Sequence, residues 1–251
     1  MTQHLYILTG ASRGMGLAMA QQLLGAENAL LCISRHSNET LTARATQRGA
    51  TLEQWQLDLT DSVAAAAMLG TWLARQPASA FASATLINNA GSIPRIAPLS
   101  DSDPTDLARA LRIGLETPLL LSATFLHETE RWSMPRKVLN ISSGLGRRAL
   151  ASQAGYCAAK AGMDHFTRCL ALDEALKPQG AKVCSLAPGV IDTDMQVQLR
   201  NACASDFPDQ KSFAKLKANG QLSSPDAAAS LVLAYLARPD FGHDPIGDVR
   251  G

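Results

Sequence analysis

Six short apolar runs recur along the chain: Leu5–Thr9, Ala29–Ser34, Thr51–Leu57, Thr85–Asn88, Lys137–Ser142 and Lys182–Ala187. Between them lie stretches of helical composition at about Gly14–Leu24, Leu41–Arg48, Ser62–Arg75, Pro104–Thr129 and Gln153–Leu176, with a later mixed helix at Gln210–Lys217. This strand-then-helix alternation is the most restrictive feature of the sequence. Successive strands joined through helices pair in parallel, with helices covering both faces, so the predicted fold is α/β with a doubly wound parallel sheet. No internal repeat, low-complexity linker or compositional shift divides the chain. At 251 residues with 46% apolar side chains, one core suffices, and a single domain over residues 1–251 is expected.

The first strand breaks into glycines and resumes as a helix in Thr9-Gly10-Ala11-Ser12-Arg13-Gly14-Met15-Gly16. Glycines let the backbone turn sharply and approach a pyrophosphate, whose charge then rests on the unpaired amides of a helix N-terminus. The spacing Gly-x-x-x-Gly-x-Gly departs from the Gly-x-Gly-x-x-Gly dinucleotide fingerprint, and a purely structural turn also recruits glycine. After the second strand comes Ser34-Arg35, with no acid to bond a ribose 2′-hydroxyl. Both residues can donate to a 2′-phosphate, and Arg13 can reach the same pocket from the other side, which favours NADP(H).

Tyr156 and Lys160 stand i, i+4 and share a helix face, with Ser143 thirteen residues before the tyrosine. A phenol titrates near ~10, and an ammonium held beside it is expected to lower that value and make the pair a general acid/base. Ser143 is a second donor to a carbonyl oxygen that gains charge. Tyr-x-x-x-Lys also arises by chance in helices, so its weight comes from the other segments.

Taken together, Thr9–Gly16, Asn88-Asn89-Ala90-Gly91, Ser143 with Tyr156-x-x-x-Lys160, and Pro188-Gly189-Val190-Ile191-Asp192-Thr193 occur in the order and spacing of the short-chain dehydrogenases/reductases. The resemblance spans nearly the whole chain. Its segments Asn140–Gly146, Gly155–Gly162 and Ala187–Gln196 look most like bacterial sepiapterin-reductase-like enzymes, benzil reductase among them. It implies a Rossmann-type fold and an oxidoreductase that passes hydride between a nicotinamide and a carbonyl carbon. By the same resemblance Tyr156 protonates the oxygen, Ser143 bonds it and Lys160 contacts the nicotinamide ribose. Cofactor contacts carried over are Gly10, Ser12, Arg13, Gly14, Met15, Gly16, Ser34, Arg35, Asp58, Leu59, Asn89, Ala90, Gly91, Tyr156, Lys160, Pro188, Gly189, Ile191 and Thr193. Residues 195–224 fall where the family places its substrate lid. There Met195 and Leu199, with Ile93, Leu145 and Leu150, are expected to form an apolar pocket for an aromatic or hydrophobic ketone or dicarbonyl. Ordinary core packing would explain each of these singly.

One position departs from the family. Gly114 stands where a helical asparagine would hold a proton-relaying water. A water held by backbone alone would leave the enzyme active but slowed. The other reading is a nucleotide-sensing protein that binds NADP(H) with little turnover. Gly114→Asn would restore a polar partner, or would clash if the helix needs glycine there.

The formal net charge of +1 provides no field for nucleic acid, and the charges form no long blocks. No apolar run approaches the ~20 residues of a membrane span, and a strand begins within four residues of Met1, so no membrane partner and a cytoplasmic location are expected. Cys32, Cys157, Cys169, Cys184 and Cys203 lack metal or disulfide spacing, and no metal site is expected. Cys157 reads as a small filler. The long helices match the family's dimer-forming pair, so a homodimer or homotetramer acting on a small carbonyl substrate is expected.

Overall fold

The computed structural model describes residues 2–251, and Met1 lies outside the described residues. Strand β1 (Gln3–Thr9) leads into α1 (Gly14–Leu23), followed by β2 (Asn28–Ser34), α2 (Glu39–Arg48), β3 (Thr51–Gln56), α3 (Ser62–Leu73) and β4 (Phe81–Asn88). The second half runs α4 (Pro104–Leu111), α5 (Thr117–Glu128), β5 (Arg136–Ile141), α6 (Ala154–Ala175), β6 (Lys182–Ala187), α7 (Asp194–Arg200), α8 (Gln210–Ala218), α9 (Pro225–Leu236) and β7 (Ile246–Asp248). The strands form one sheet in the order β3-β2-β1-β4-β5-β6-β7, and every pair is parallel. This is the doubly wound Rossmann-type arrangement expected from the alternation.

Alternation along β1 divides the core into two layers. Leu5 and Ile7 point to the side of α3 and α5, where Leu69, Leu73, Leu121 and Phe125 pack. Leu8 points to the opposite side, against Met15 and Met19 of α1 and Val232 and Leu236 of α9. Fully burying a side chain of this size contributes about 1.5–3 kcal/mol, so the two layers hold the sheet from both faces.

Local signals bound the helices. Asn38 caps α2 by accepting from the Leu41 amide at 2.9 Å, and Gly49 closes it in the left-handed region. Asp61 and Ser224 cap α3 and α9 in the same way.

The predicted helix over Pro104–Thr129 is interrupted. Arg112–Glu116 form a π-turn between α4 and α5. Pro118 has no N–H to donate to the Gly114 carbonyl four residues back, so the α-helical bonding cannot run through this point. Strand order reverses between β1 and β4, and the carboxyl ends of these strands open the crevice where α/β sheets bind ligands.

Candidate active site

The turn after β1 is held from a distance. Thr9 Oγ1 accepts from the amides of Asn89 and Ala90, at 3.0 Å each, and Asn89 Nδ2 donates to the Thr9 and Gly10 carbonyls at 3.0 and 3.3 Å. The Asn89 side chain therefore shapes the turn rather than facing a ligand. Gly10 adopts a φ of 71°, and a Cβ there would lie 2.9 Å from the Cα of Ala90. At Gly16 a Cβ would meet the Gly10 carbonyl oxygen at 2.1 Å, so only glycine allows the helix to start this close to the strand. The first turn of α1 has no side-chain cap and no acidic residue. Free amides without a competing carboxylate fit a pyrophosphate. Asn38 Nδ2 also donates to the Ser12 carbonyl at 3.2 Å, a tie that sequence reasoning missed because the two residues are 26 positions apart.

Beyond the turn, Ser34 is buried at the end of β2, its hydroxyl donating to the His36 carbonyl at 3.1 Å, while Arg35 is exposed beside it. Asp58 is held below the usual carboxylate range first by hydrogen bonds from Thr60 and further by the charge of Arg35. Leu59 is buried below it. Arg13 does not turn toward Arg35. Its guanidinium pairs with Asp194 of α7. Both side chains are about two-thirds exposed, at 67% and 69%, so the pair contributes about 0–1 kcal/mol and an anion can compete for Arg13.

Ser143, Tyr156 and Lys160 meet at the end of β5. Ser143 caps a short turn over Gly144–Gly146 by accepting from the Leu145 amide at 3.2 Å. Tyr156 and Lys160 project from one face of α6, 9% and 4% exposed. Lys160 Nζ donates to the Ile141 carbonyl at 2.7 Å and lies 5.8 Å from the centroid of the Tyr156 ring. Here the expected acidification of the phenol is corrected. Burial pushes Tyr156 up to about 12, opposed by a hydrogen bond with Ser143, and the same burial brings Lys160 down to about 8 despite the charge of Asp164. Sequence spacing gave the proximity of the two groups but not their desolvation, which dominates here.

The anticipated pocket residues gather around the phenol. Ile93, Tyr156, Leu199, Ile96 and Phe207 pack together, with Leu145, Leu150 and Met195 against them. Phe207 belongs to this cluster and meets Phe213 in a tilted pair at 5.4 Å, so the 195–224 segment packs onto it. Ser152, with a φ of 61°, donates to the Asp206 carbonyl at 2.5 Å and ties the start of α6 to the same segment. On the other side, Gly189 adopts a φ of 83° after buried Pro188. Ile191 bridges to Ser223, and Thr193 starts α7. Gly91 lies close to the Lys160 ammonium, 3.9 Å from where its Cβ would be. Among the described residues, no group of three or more His, Cys, Asp or Glu could hold a metal, and no helix is long and apolar enough to cross a membrane.

The sequence profile of short chain dehydrogenases matches residues 4–204. The chain belongs to the short-chain dehydrogenase/reductase family. This short-chain dehydrogenase is 34% identical to benzil reductase ((S)-benzoin forming) of Bacillus cereus, over 97% of this chain and 96% of that protein. Sepiapterin reductase of Bos taurus is 29% identical over 94% and 91%. A solved short-chain dehydrogenase/reductase from Burkholderia vietnamiensis is 33% identical, covering 99% of this chain and 98% of its own, with a TM-score of 0.67. Family members are oxidoreductases that bind NAD(P), and this chain is one of them.

Gly114 is buried in the π-turn of this short-chain dehydrogenase, facing α6. A Cβ there would lie 3.1 Å from the Cβ of Ala159, which sits between Tyr156 and Lys160. That methyl is fixed to the helix backbone, so relief requires α6 itself to shift. The structure therefore favours the clash over the restored polar partner. Gly114→Asn is expected to cost about 1–3 kcal/mol by overpacking and to leave turnover no higher. Thermal melting and turnover measured together check this, and a faster enzyme of unchanged stability would contradict it.

Proposed function

We propose that the chain reduces a ketone or dicarbonyl with NADPH, Tyr156 giving its proton to the carbonyl oxygen. The observation that carries this reading is the position of a buried phenol, flanked by a hydroxyl and an ammonium, against an apolar cluster close to the turn after β1. Gly10, Ser12, Gly14, Met15 and Gly16 would receive the pyrophosphate through the turn and the α1 amides. Arg35 and Ser34 would take the 2′-phosphate, with Arg13 recruited from Asp194. Asp58 and Leu59 would border the adenine. Ala90, Gly91, Pro188, Gly189, Ile191 and Thr193 would line the nicotinamide end. When bound, the reduced nicotinamide supplies the hydride.

Tyr156 keeps its proton firmly at neutral pH, as a general acid in a reduction must. Ser143 donates to the same carbonyl oxygen and shares the developing charge. Lys160, anchored on the Ile141 carbonyl, brings a positive charge that favours the phenolate once the proton has left. Ile93, Leu145, Leu150, Met195 and Leu199 exclude water and suit an aromatic diketone or a pterin side chain, in keeping with the names of the relatives. The 195–224 segment would close over such a substrate.

NADPH oxidation against aromatic diketones, pterins and simple ketones tests the reading, and no turnover on any would defeat it. The specific observation favouring a nucleotide sensor is Gly114, which lacks the amide of the family asparagine. NADPH binding without turnover would select that alternative. Because Lys160 loses its charge near 8, reduction should hold level below that pH and fall by about tenfold per unit above it. A rate that rises from pH 8 to 9 would contradict the role given to Lys160. Leu119 of α5, Leu172 of α6 and Leu176 just past its end are exposed apolar side chains, in keeping with a homodimer or homotetramer that light scattering can count. The unpaired cysteines accord with a cytoplasmic setting.

A further inference from the structure

We propose that Asp164 is a positioning residue for this site, locking the Ser143 turn onto α6 through Arg147 and placing a negative charge one helical turn beyond Lys160. The kinetic part of its test rests on the reductase reading; the geometry does not.

Tyr156, Lys160 and Asp164 stand i, i+4 and i+8 on α6 and so lie on the face that packs against the sheet. Asp164 is 1% exposed. A carboxylate so buried is tolerated only when its oxygens are well bonded. Ser185 of β6 donates to Oδ1 at 2.6 Å, and Arg147 Nε donates to Oδ2 at 3.2 Å. The same guanidinium donates from Nη2 to the Gly247 carbonyl of β7 at 2.8 Å. Arg147 directly follows the Gly144–Gly146 turn that Ser143 caps. The turn is pressed onto the helix at Gly146, where a Cβ would lie 2.9 Å from the Lys160 carbonyl oxygen and 3.0 Å from Asp164 Oδ2. One carboxylate thus joins the loop carrying the hydroxyl, the helix carrying the phenol and ammonium, and strand β6, while Arg147 extends the tie to β7.

Asp164 also acts on the charge of Lys160, opposing its loss through burial. The groups around the two are few. Tyr156 flanks Lys160 on its own helix, and β5 offers only the Ile141 carbonyl. Arg147 faces Asp164 from the turn and Ser185 faces it from β6, while Cys184 lies on the opposite face of that strand, Asp248 of β7 feels Arg147, and Asp244 acts on Cys184. Asp164 acts on Lys160 directly, and the guanidinium of Arg147, bonded to Asp164, offsets part of that charge.

That opposition gives the test. Asp164→Asn keeps the shape and the acceptor for Ser185 but removes the charge. The alkaline fall of kcat/KM for NADPH-dependent reduction should move to lower pH, by on the order of one unit. Arg147→Gln removes the opposing cation and should move the fall to higher pH, with kcat lowered as the Ser143 turn loosens. Shifts in the same direction, or a uniform loss over an unmoved profile, would overturn the proposal. An NMR titration of Lys160 in ¹³C-lysine-labelled protein, assigned with Lys160→Arg, reads the same displacements without turnover. A chain that reduces nothing still answers the question that way. If Asp164→Asn does not fold, Arg147→Gln decides alone, since that side chain is 31% exposed: upward displacement supports the proposal and an unmoved titration overturns it.

Discussion

Tyr156→Phe is expected to lower carbonyl reduction by on the order of 10²–10⁴-fold, the usual contribution of a positioned general acid. The substitution removes one oxygen and keeps the ring that packs against Ile93, Leu199 and Phe207. Lys160 retains its bond to the Ile141 carbonyl, and the glycine turn is untouched, so NADPH should bind nearly as before. A transition-state interaction is lost without a ground-state one, which lowers kcat and kcat/KM together. Single-turnover reduction and a fluorescence titration of NADPH separate the two quantities. Retention of more than about a tenth of the rate would identify a different proton donor.

The second large effect falls on nucleotide choice. Arg35→Asp removes a cation from the end of β2 and places a carboxylate near Asp58, whose own charge Arg35 now offsets. Losing a charge-assisted phosphate contact costs about 1.5–3 kcal/mol before repulsion is added, so NADPH binding should weaken by roughly 10–150-fold or more. NADH, which has no 2′-phosphate, should lose little, and the new carboxylate can accept from its ribose hydroxyl. Isothermal titration with both nucleotides measures the ratio. Equal affinity for the two in the unmutated protein would remove the basis for NADP(H).

The large elements were legible because their signals are local. The strand from Lys182 to Ala187 carries its own apolar run, and α2 carries its own cap and stop at Asn38 and Gly49. Three elements were not. Strand β7 is only three residues, Ile246-Gly247-Asp248, and is specified by its pairing with β6 rather than by any apolar run. Helix α9 is rich in alanine and small residues whose burial comes from packing on α1. Helix α7 is short, and its ties are tertiary.

In the site, the shared face of Tyr156 and Lys160 and the apolar company of Ile93 and Met195 could be read from spacing and position. What could not be read were quantities set by distant chain. These include the desolvation that raises Tyr156, the pairing of Arg13 with Asp194, and the Ala159 methyl that crowds Gly114. Asp164 carried one unused signal, its place four residues beyond the lysine.

The bonds from Asn89 and Ala90 back to Thr9 bear on how the protein is made. A nascent chain extended only through β3 already holds every glycine of the first turn, but not the partners that give the turn its shape. Strand β1 sits between β2 and β4, so its second edge stays open until β4 docks alongside. Closing that contact over some eighty residues is an entropic barrier of the kind that slows folding in proteins built on non-local pairings. The turn therefore takes its shape only once β4 and the residues after it have been made, and a proteolytic fragment ending before β4 keeps the motif without the binding surface.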